Sequence, residues 1–324
     1  MSDLTTPRAL GRSGLKTLPL VLGGNAIGWT ADEATSHAVL DRFTDAGYAM
    51  IDTADVYSKW VPGNTGGDSE RIIGSWIRSR GREKLLVATK VGGEMAPGEK
   101  GLSAKYIRQA VEGSLTRLQT DYIDLYQAHF DDPDTPFEET MGVFGELIAE
   151  GKVRAVGLSN YSVERFKGVL AASKAAGLPR YETLQPLYNL YDREEFETVF
   201  APVCREEGIG VINFYSLASG FLSGKYRSME DVQAAKRQKS NSKYMTPRGF
   251  RILDALDAVA ARTGAKPAQI ALAWLVAQPD VTAPIASATS VAQLDELIAA
   301  VQLKLDAESL ALLEAASAYE VEAA

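Results

Sequence analysis

From Val21 onward, short apolar runs alternate with longer amphipathic segments. The runs fall at 18–24 (LPLVLGG), 48–52 (YAMID), 84–90 (KLLVATK), 122–129 (YIDLYQAH), 153–160 (VRAVGLSN), 182–189 (ETLQPLYN), 210–216 (GVINFYS) and 282–288 (TAPIASA). They are aliphatic or β-branched and lack strict polar alternation, which is the pattern of strands covered on both faces.

The intervening segments carry helix-start and helix-stop residues. ADEATSHAVLDRFTDAG opens on acidic residues and closes at Gly47, and Pro267 stands in the first turn of KPAQIALAWLVAQ. Eight strands alternating with helices, with no composition break or long linker, predict a single domain over 1–324, a closed (β/α)8 TIM barrel. An open doubly wound sheet is the competitor. It needs a G-x-G-x-x-G turn after its first strand, where this chain reads Gly23-Gly24-Asn25. Residues 8–18 predict an N-terminal β-hairpin turning at Ser13-Gly14. REEFETVFAPVCREEG predicts one helix, and DAESLALLEAASAYEVEAA an extra C-terminal helix. The polar, basic stretch 225–246 predicts a long loop after strand seven, and loops of that length commonly carry function.

Composition narrows the function classes. The 324 residues carry a net charge of −8, which gives polyanions such as nucleic acid little to bind. No apolar run reaches membrane-spanning length, so we expect no membrane partner and a cytoplasmic location. The lone cysteine, Cys204, has no partner for an internal disulfide and reads as a small buried hydrophobe. No metal site is expected.

In a barrel of this kind, function gathers where strands end at the C-terminal face. Asp52 ends strand two and Tyr57 follows it, Lys90 ends strand three, and His129 ends strand four. Singly, each has an ordinary explanation: a turn cap, a surface aromatic, a solvated lysine, a core histidine. Together they describe a proton-transfer site. A phenol near pKa 10 is a poor acid at neutral pH, and a neighbouring ammonium is expected to lower that value. Lys90 supplies the charge, Asp52 holds Lys90, and His129 orients a substrate carbonyl or assists the transfer. Such a site protonates an oxyanion while hydride arrives at carbon. Trp29 after strand one, Trp60 after Tyr57 and Phe130 after His129 lie beside this site and predict an apolar-walled pocket for an aromatic ring or a sugar face. Asp68, Ser69 and Glu70 read as a helix cap with an acidic first turn. A barrel lyase or aldolase using Lys90 as a Schiff-base amine is a competing use of the same lysine.

The segments IDTADVYS, VATKVG, DYIDLYQAHF, GKVRAVGLSNYS and YSLASGFLSGKY resemble the aldo-keto reductases, in the order found in that family and over essentially the whole chain. The resemblance implies a nicotinamide cofactor bound in extended form without a Rossmann domain. It implies a catalytic tetrad of Asp52, Tyr57, Lys90 and His129, with Tyr57 as general acid. The segment that holds Asp68, Ser69 and Glu70, NTGGDSERI, also resembles one that helps shape the site in this family. Ser159, Asn160 and Gln185 would bind the carboxamide, with Gly24 also in contact with the cofactor. Phe214 or Tyr215 would stack on the nicotinamide, Phe214 being favoured, and Ser216 stands at the family's proline position. Leu217, Ala218 and Gly220 would line the pyrophosphate. After strand eight, IASATSVAQLDEL has no cation, as in the branch that holds bacterial aldo-keto reductases and potassium-channel β subunits. There the resemblance assigns Lys225, Thr289 and Gln293 to a 2′-phosphate and Glu296 to adenine, while Leu297 replaces a usual asparagine. Lys236, Arg237, Lys239 and Lys243 would reinforce Lys225. The implied activity is NADPH-dependent, reversible reduction of an aldehyde or ketone. NADP(H) is favoured and NAD(H) is the alternative; the partner is a small carbonyl compound or sugar, and a homo-oligomer stays open. The competing implication is an NADP-binding regulatory subunit with little turnover.

Overall fold

The computed structural model describes residues 6–233 and 241–319. Strands β1 (Val21–Gly23), β2 (Met50–Asp52), β3 (Leu86–Val91) and β4 (Ile123–Ala128) pair in parallel, each with the next. The series continues through β5 (Val153–Ser159), β6 (Thr183–Gln185) and β7 (Gly210–Val211). Then β8 (Ile285–Ala286) returns to β1, Ile285 lying opposite Val21. Backbone bonds close the ring between the last two strands: Ile285 N donates to Asn213 O at 3.0 Å and Thr282 N to Val211 O at 2.8 Å. Strand order follows chain order with no reversal, so the (β/α)8 barrel holds and the doubly wound sheet is excluded.

The helices α1 (Glu33–Asp45), α2 (Asp68–Arg80), α3 (Ala104–Leu118), α4 (Phe137–Ala149) and α5 (Val163–Ala176) alternate with the strands. They are followed by α6 (Ala201–Glu207), α7 (Met229–Gln233), α8 (Pro247–Thr263), α9 (Pro267–Ala277), α10 (Val291–Gln302) and α11 (Ala307–Ser317). Side chains of Asp32, Ser103, Ser162, Thr246, Ser290 and Asp306 accept from free N–H groups in the first turns of their helices. Two expectations are corrected. The cap of α2 is Gly67 rather than one of Asp68, Ser69 and Glu70, although Asp68 and Glu70 do form the expected acidic first turn; Ser69 and Glu70 are fully buried. The helix predicted over REEFETVFAPVCREEG opens with a wide five-residue turn, Phe196–Phe200, before α6. Pro202 sits there with no N–H to give to a regular ladder, and Ala201 N reaches back to Phe196 O instead.

The hairpin pairs Arg8 with Thr17 and Ala9 with Lys16, and its turn is wider than Ser13-Gly14. Gly11 and Gly14 both take positive φ, +63° and +80°, at the two ends of that turn. Leu10 and Leu15 enter the barrel bottom and join Val21, Met50, Ala88, Leu125, Ala155 and Ile212 in one buried apolar cluster. The plug shows which side chains of β1 to β5 face the barrel interior. Side chains alternate along a strand, so two residues above Met50 comes Asp52, above Ala88 comes Lys90, and above Leu125 comes Gln127. On these three strands the layer above the plug is polar, whereas Gly23 and Gly157 stand there on β1 and β5.

After β7 the chain runs through 3-10 turns at Ala218–Ser223 and Ser242–Tyr244, with α7 between them. Lys236, Arg237 and Lys239 lie outside the described residues. The extra C-terminal helix, α11, packs on α8. Among the described residues no helix is long and apolar enough to cross a membrane.

Candidate active site

A cavity of about 900 Å³ opens at the C-terminal ends of the strands. Its floor is organised around Lys90, which is completely buried. The ammonium donates to Asp52 Oδ2 at 2.6 Å, to Thr53 O at 2.8 Å and to Tyr57 Oη at 2.9 Å. These three bonds use all three of its protons. Asp52 Oδ1 accepts from Gln127 Nε2 at 3.0 Å and Gln185 Nε2 at 2.9 Å, so the buried carboxylate is bonded on both oxygens.

Local backbone geometry sets Tyr57. The segment after β2 lies along β3, with Thr53 N donating to Ala88 O and Asp55 N to Lys90 O. Val56 N bonds Asp55 Oδ1 at 2.7 Å, and Tyr57 N bonds Ala54 O. Ser58 takes a left-handed φ of 67°, held by its buried hydroxyl donating to Ile27 O at 2.7 Å. The Tyr57 ring then stands edge-on to His129, centroids 5.9 Å apart, and to Trp60 at 6.1 Å.

Burial decides the ionisation of these groups. It works against the Lys90 ammonium, but Asp52 and Tyr57 outweigh it and raise the lysine pKa. Tyr57 differs from the sequence expectation. Burial raises its pKa more than Lys90 lowers it, and the Asp52 charge adds to the rise. The phenol therefore keeps its proton at neutral pH, with the ammonium 2.9 Å from its oxygen. His129 is held well below its ordinary pKa by burial and by Lys90, so its imidazole is neutral; its buried Nδ1 has no partner among the described residues.

A second buried cluster lies behind this floor. Glu70 accepts from Thr89 Oγ1 and Arg117 Nε, both at 2.6 Å. Asp55 has no such partner for Oδ2 among the described residues, and burial with the nearby Glu70 charge pushes its pKa up to about 8.

The other expected residues divide clearly. Ser159, Asn160, Gln185, Phe214, Tyr215, Ser216, Leu217, Gly220, Lys225, Thr289 and Gln293 line the cavity, as do Trp60 and Phe130. Asn160 Nδ2 donates to His129 O at 2.9 Å and to Ser159 Oγ at 3.1 Å, and Ser159 Oγ donates to Gln185 O at 2.8 Å. Tyr215 is about half exposed, whereas Ser216 is buried and donates to Ile285 O across the barrel seam. Thr289 bonds Gln293 Oε1 through both its N–H and its hydroxyl, each at 2.9 Å.

Five residues fall elsewhere. Gly24 is packed under α2, where Ser69 Oγ bonds its carbonyl, and its neighbour Gly23 faces the cavity instead. Ala218 is fully buried in the turn. Glu296 pairs with Lys266, and Lys243 with Asp192 at 3.1 Å. Trp29 stands outside the wall, edge-on to Trp60 at 5.7 Å. Sequence reasoning missed Gln127, and also Asn25 and Ser287, whose side chains bond at 2.6 Å on the cavity wall. Strand parity counted upward from the apolar plug finds Gln127; no signal in the sequence marked the pair joining β1 to β8.

Residues 19–318 match the family profile described as Aldo/keto reductase family. The chain is 36% identical over 313 residues to "Uncharacterized oxidoreductase YrpG" of Bacillus subtilis, covering 94% of this chain and 93% of that protein. It is 32% identical to "Protein tas" of Escherichia coli, covering 94% and 95%. The same identity, 32%, relates it to "Probable voltage-gated potassium channel subunit beta" of Arabidopsis thaliana, covering 91% and 90%. Likeness of that depth over nearly full lengths, on a barrel whose strand ends carry the groups described above, settles the family: the chain belongs to the aldo/keto reductases, a family of oxidoreductases.

Proposed function

We propose that this protein, acting as one domain in the cytoplasm, reversibly reduces an aldehyde or ketone with NADPH, Tyr57 giving the proton. The observation that carries this reading is the Lys90 ammonium bonded at once to Asp52 at 2.6 Å and Tyr57 Oη at 2.9 Å beneath an open cavity. The residues present fit a nicotinamide cofactor. With their N–H groups spent inside the network, Asn160 Oδ1 and Gln185 Oε1 are left to accept from a carboxamide. Tyr215, about half exposed on the wall, and Phe214 beside it offer ring faces for stacking. When bound, the cofactor supplies hydride to the carbonyl carbon. The chain does the rest: neutral His129 and Tyr57 Oη hydrogen-bond the carbonyl oxygen, the phenol passes its proton to the forming alkoxide, and Lys90 stabilises the phenolate left behind.

Lys225 is exposed and among the described residues makes no ion pair, so it is available to a 2′-phosphate, with Thr289 and Gln293 lining the same cavity; this favours NADPH over NADH. A lysine with a raised pKa and three committed protons is a poor amine nucleophile, which argues against Schiff-base chemistry on Lys90. Trp60 and Phe130 make an apolar mouth suited to an aromatic ring or sugar face. The likeness to proteins named as channel β subunits supports one second reading, a cofactor-binding regulatory subunit with little turnover.

The test is fluorescence titration with NADPH and NADH, then a panel of carbonyl substrates. Tyr57→Phe should keep NADPH affinity and lose reduction by ~10²-fold or more. Lys225→Ala should weaken NADPH binding and leave NADH unchanged. Tight NADPH binding with no turnover of any carbonyl would move the assignment to the regulatory reading.

A further inference from the structure

Gln127 is completely buried on β4, two residues before His129, and it does not line the cavity. Its side chain touches two partners. Its Nε2 donates to Asp52 Oδ1 at 3.0 Å, and its Oε1 accepts from Gln185 Nε2 at 3.3 Å. Gln185 Nε2 also donates to the same Asp52 oxygen, at 2.9 Å. An ionised carboxylate can only accept, so both amides must turn nitrogen toward Asp52, and that fixes their orientation. The result is a continuous chain from the cavity wall: Gln185 and Gln127 hold Asp52, Asp52 holds Lys90, and Lys90 holds Tyr57.

We propose that Gln127 is a positioning residue for proton transfer: with Gln185 it occupies Asp52 Oδ1, so that Asp52 takes less of the Lys90 charge and more of it acts on Tyr57. This rests on the proposed role of Tyr57 as acid. The physical argument is a division of charge in a dry site. Each amide proton on Asp52 Oδ1 neutralises part of the carboxylate's demand. Remove one and the carboxylate binds the ammonium more strongly. The ammonium then stabilises a phenolate less, and Tyr57 becomes a weaker acid in reduction and a scarcer base in oxidation. Gln127 does not line the cavity, and without it Gln185 keeps its shorter bond to Asp52 Oδ1, so cofactor affinity should change little.

Gln127→Met keeps the volume and removes both bonds. The expected result is a loss of kcat on the order of tenfold, a fraction of what general acid catalysis is worth. KM should change little. Alcohol oxidation, which needs the phenolate, should show its rise with pH displaced to higher pH. NADPH binding by fluorescence should stay within about twofold of wild type. In the cofactor-free protein, ultraviolet titration of tyrosinate, with Tyr57→Phe subtracted, should show the Tyr57 step moved upward. Gln127→Glu donates to Asp52 only while protonated, so its activity should recover toward acid pH, which a packing defect would not do. An unchanged Tyr57 step in Gln127→Met, or an equal loss of cofactor affinity, overturns the proposal. Failure of both variants to fold also overturns it, since Gln127 would then serve the barrel's stability. If wild type itself neither binds NADPH nor reduces any carbonyl, the functional reading has failed, and the tyrosinate titration still decides the role of Gln127.

Discussion

Replacing Asp55 with asparagine tests how burial, rather than partners, sets ionisation beside this site. Asp55 is 1% exposed, with Oδ1 bonded to Val56 N–H and Oδ2 unpartnered among the described residues. The two cations that act against the rise, Arg117 and Lys90, are committed to Glu70 and Asp52, each at 2.6 Å. Burial first, and the Glu70 charge second, lift the Asp55 pKa from 3.8 to about 8. The folded protein therefore holds a proton that the unfolded chain releases above about pH 4. The Asp55 contribution is greatest below that pH, is lost at about 1.4 kcal/mol per pH unit as pH rises, and levels off above the folded pKa of about 8. Between pH 5 and pH 8 the loss comes to about 3–4 kcal/mol, a large part of the ~5–15 kcal/mol typical of a domain. Asparagine has no proton to lose. In urea unfolding followed by circular dichroism, Asp55→Asn should gain on wild type by about that amount from pH 5 to pH 8, with the slope on urea unchanged. Stability differences that are the same at every pH would refute the reasoning. A variant that loses ground as pH rises toward about pH 4 and is level above it would show instead that Asp55 is a paired carboxylate.

Other outcomes follow from the same geometry. Lys90→Met should abolish carbonyl reduction and also destabilise the fold by about 3–5 kcal/mol, because Asp52 would be left as a buried charge without its cation; a melt and an activity assay check both. Reduction should be nearly flat across neutral pH and fall only as the raised Tyr57 pKa is approached, and oxidation should need alkaline pH, both read from pH–rate profiles. Cys204, its thiol pushed up to about 12 by burial, should resist an aromatic disulfide reagent in the native protein and react only on unfolding.

Much of this architecture is written in the chain because the barrel signals itself twice. Apolar runs mark the strands, and the abrupt change to polar residues at Asp52, Lys90 and His129 marks their C-terminal ends. Those three positions need only the end of a strand to be located. Gln127 needed more, because it lies inside an apolar run and its facing is set by the plug of Leu10, Leu15 and Leu125 far below it. The break at Phe196–Phe200 was missed for a related reason: the periodicity of REEFETVFAPVCREEG is helical throughout, and one missing N–H at Pro202 changes the ladder without changing the pattern.

Ionisation was the least legible property, and IDTADVYS shows why. It holds two aspartates three residues apart, and nothing in their sequence neighbours says which of them will meet a cation. Asp52 turns into the barrel and meets an ammonium at 2.6 Å; Asp55 turns toward α2 and meets the charge of Glu70. Tyr57, between them and the solvent, was expected to be made more acidic by Lys90, and that attraction is present. What outweighs it is desolvation, a quantity supplied jointly by every residue that covers the ring. A motif names the partners of a charge, but only the folded barrel sets how much water they have displaced. Burial thus keeps the phenol protonated at neutral pH, the condition that the general-acid role proposed for Tyr57 requires.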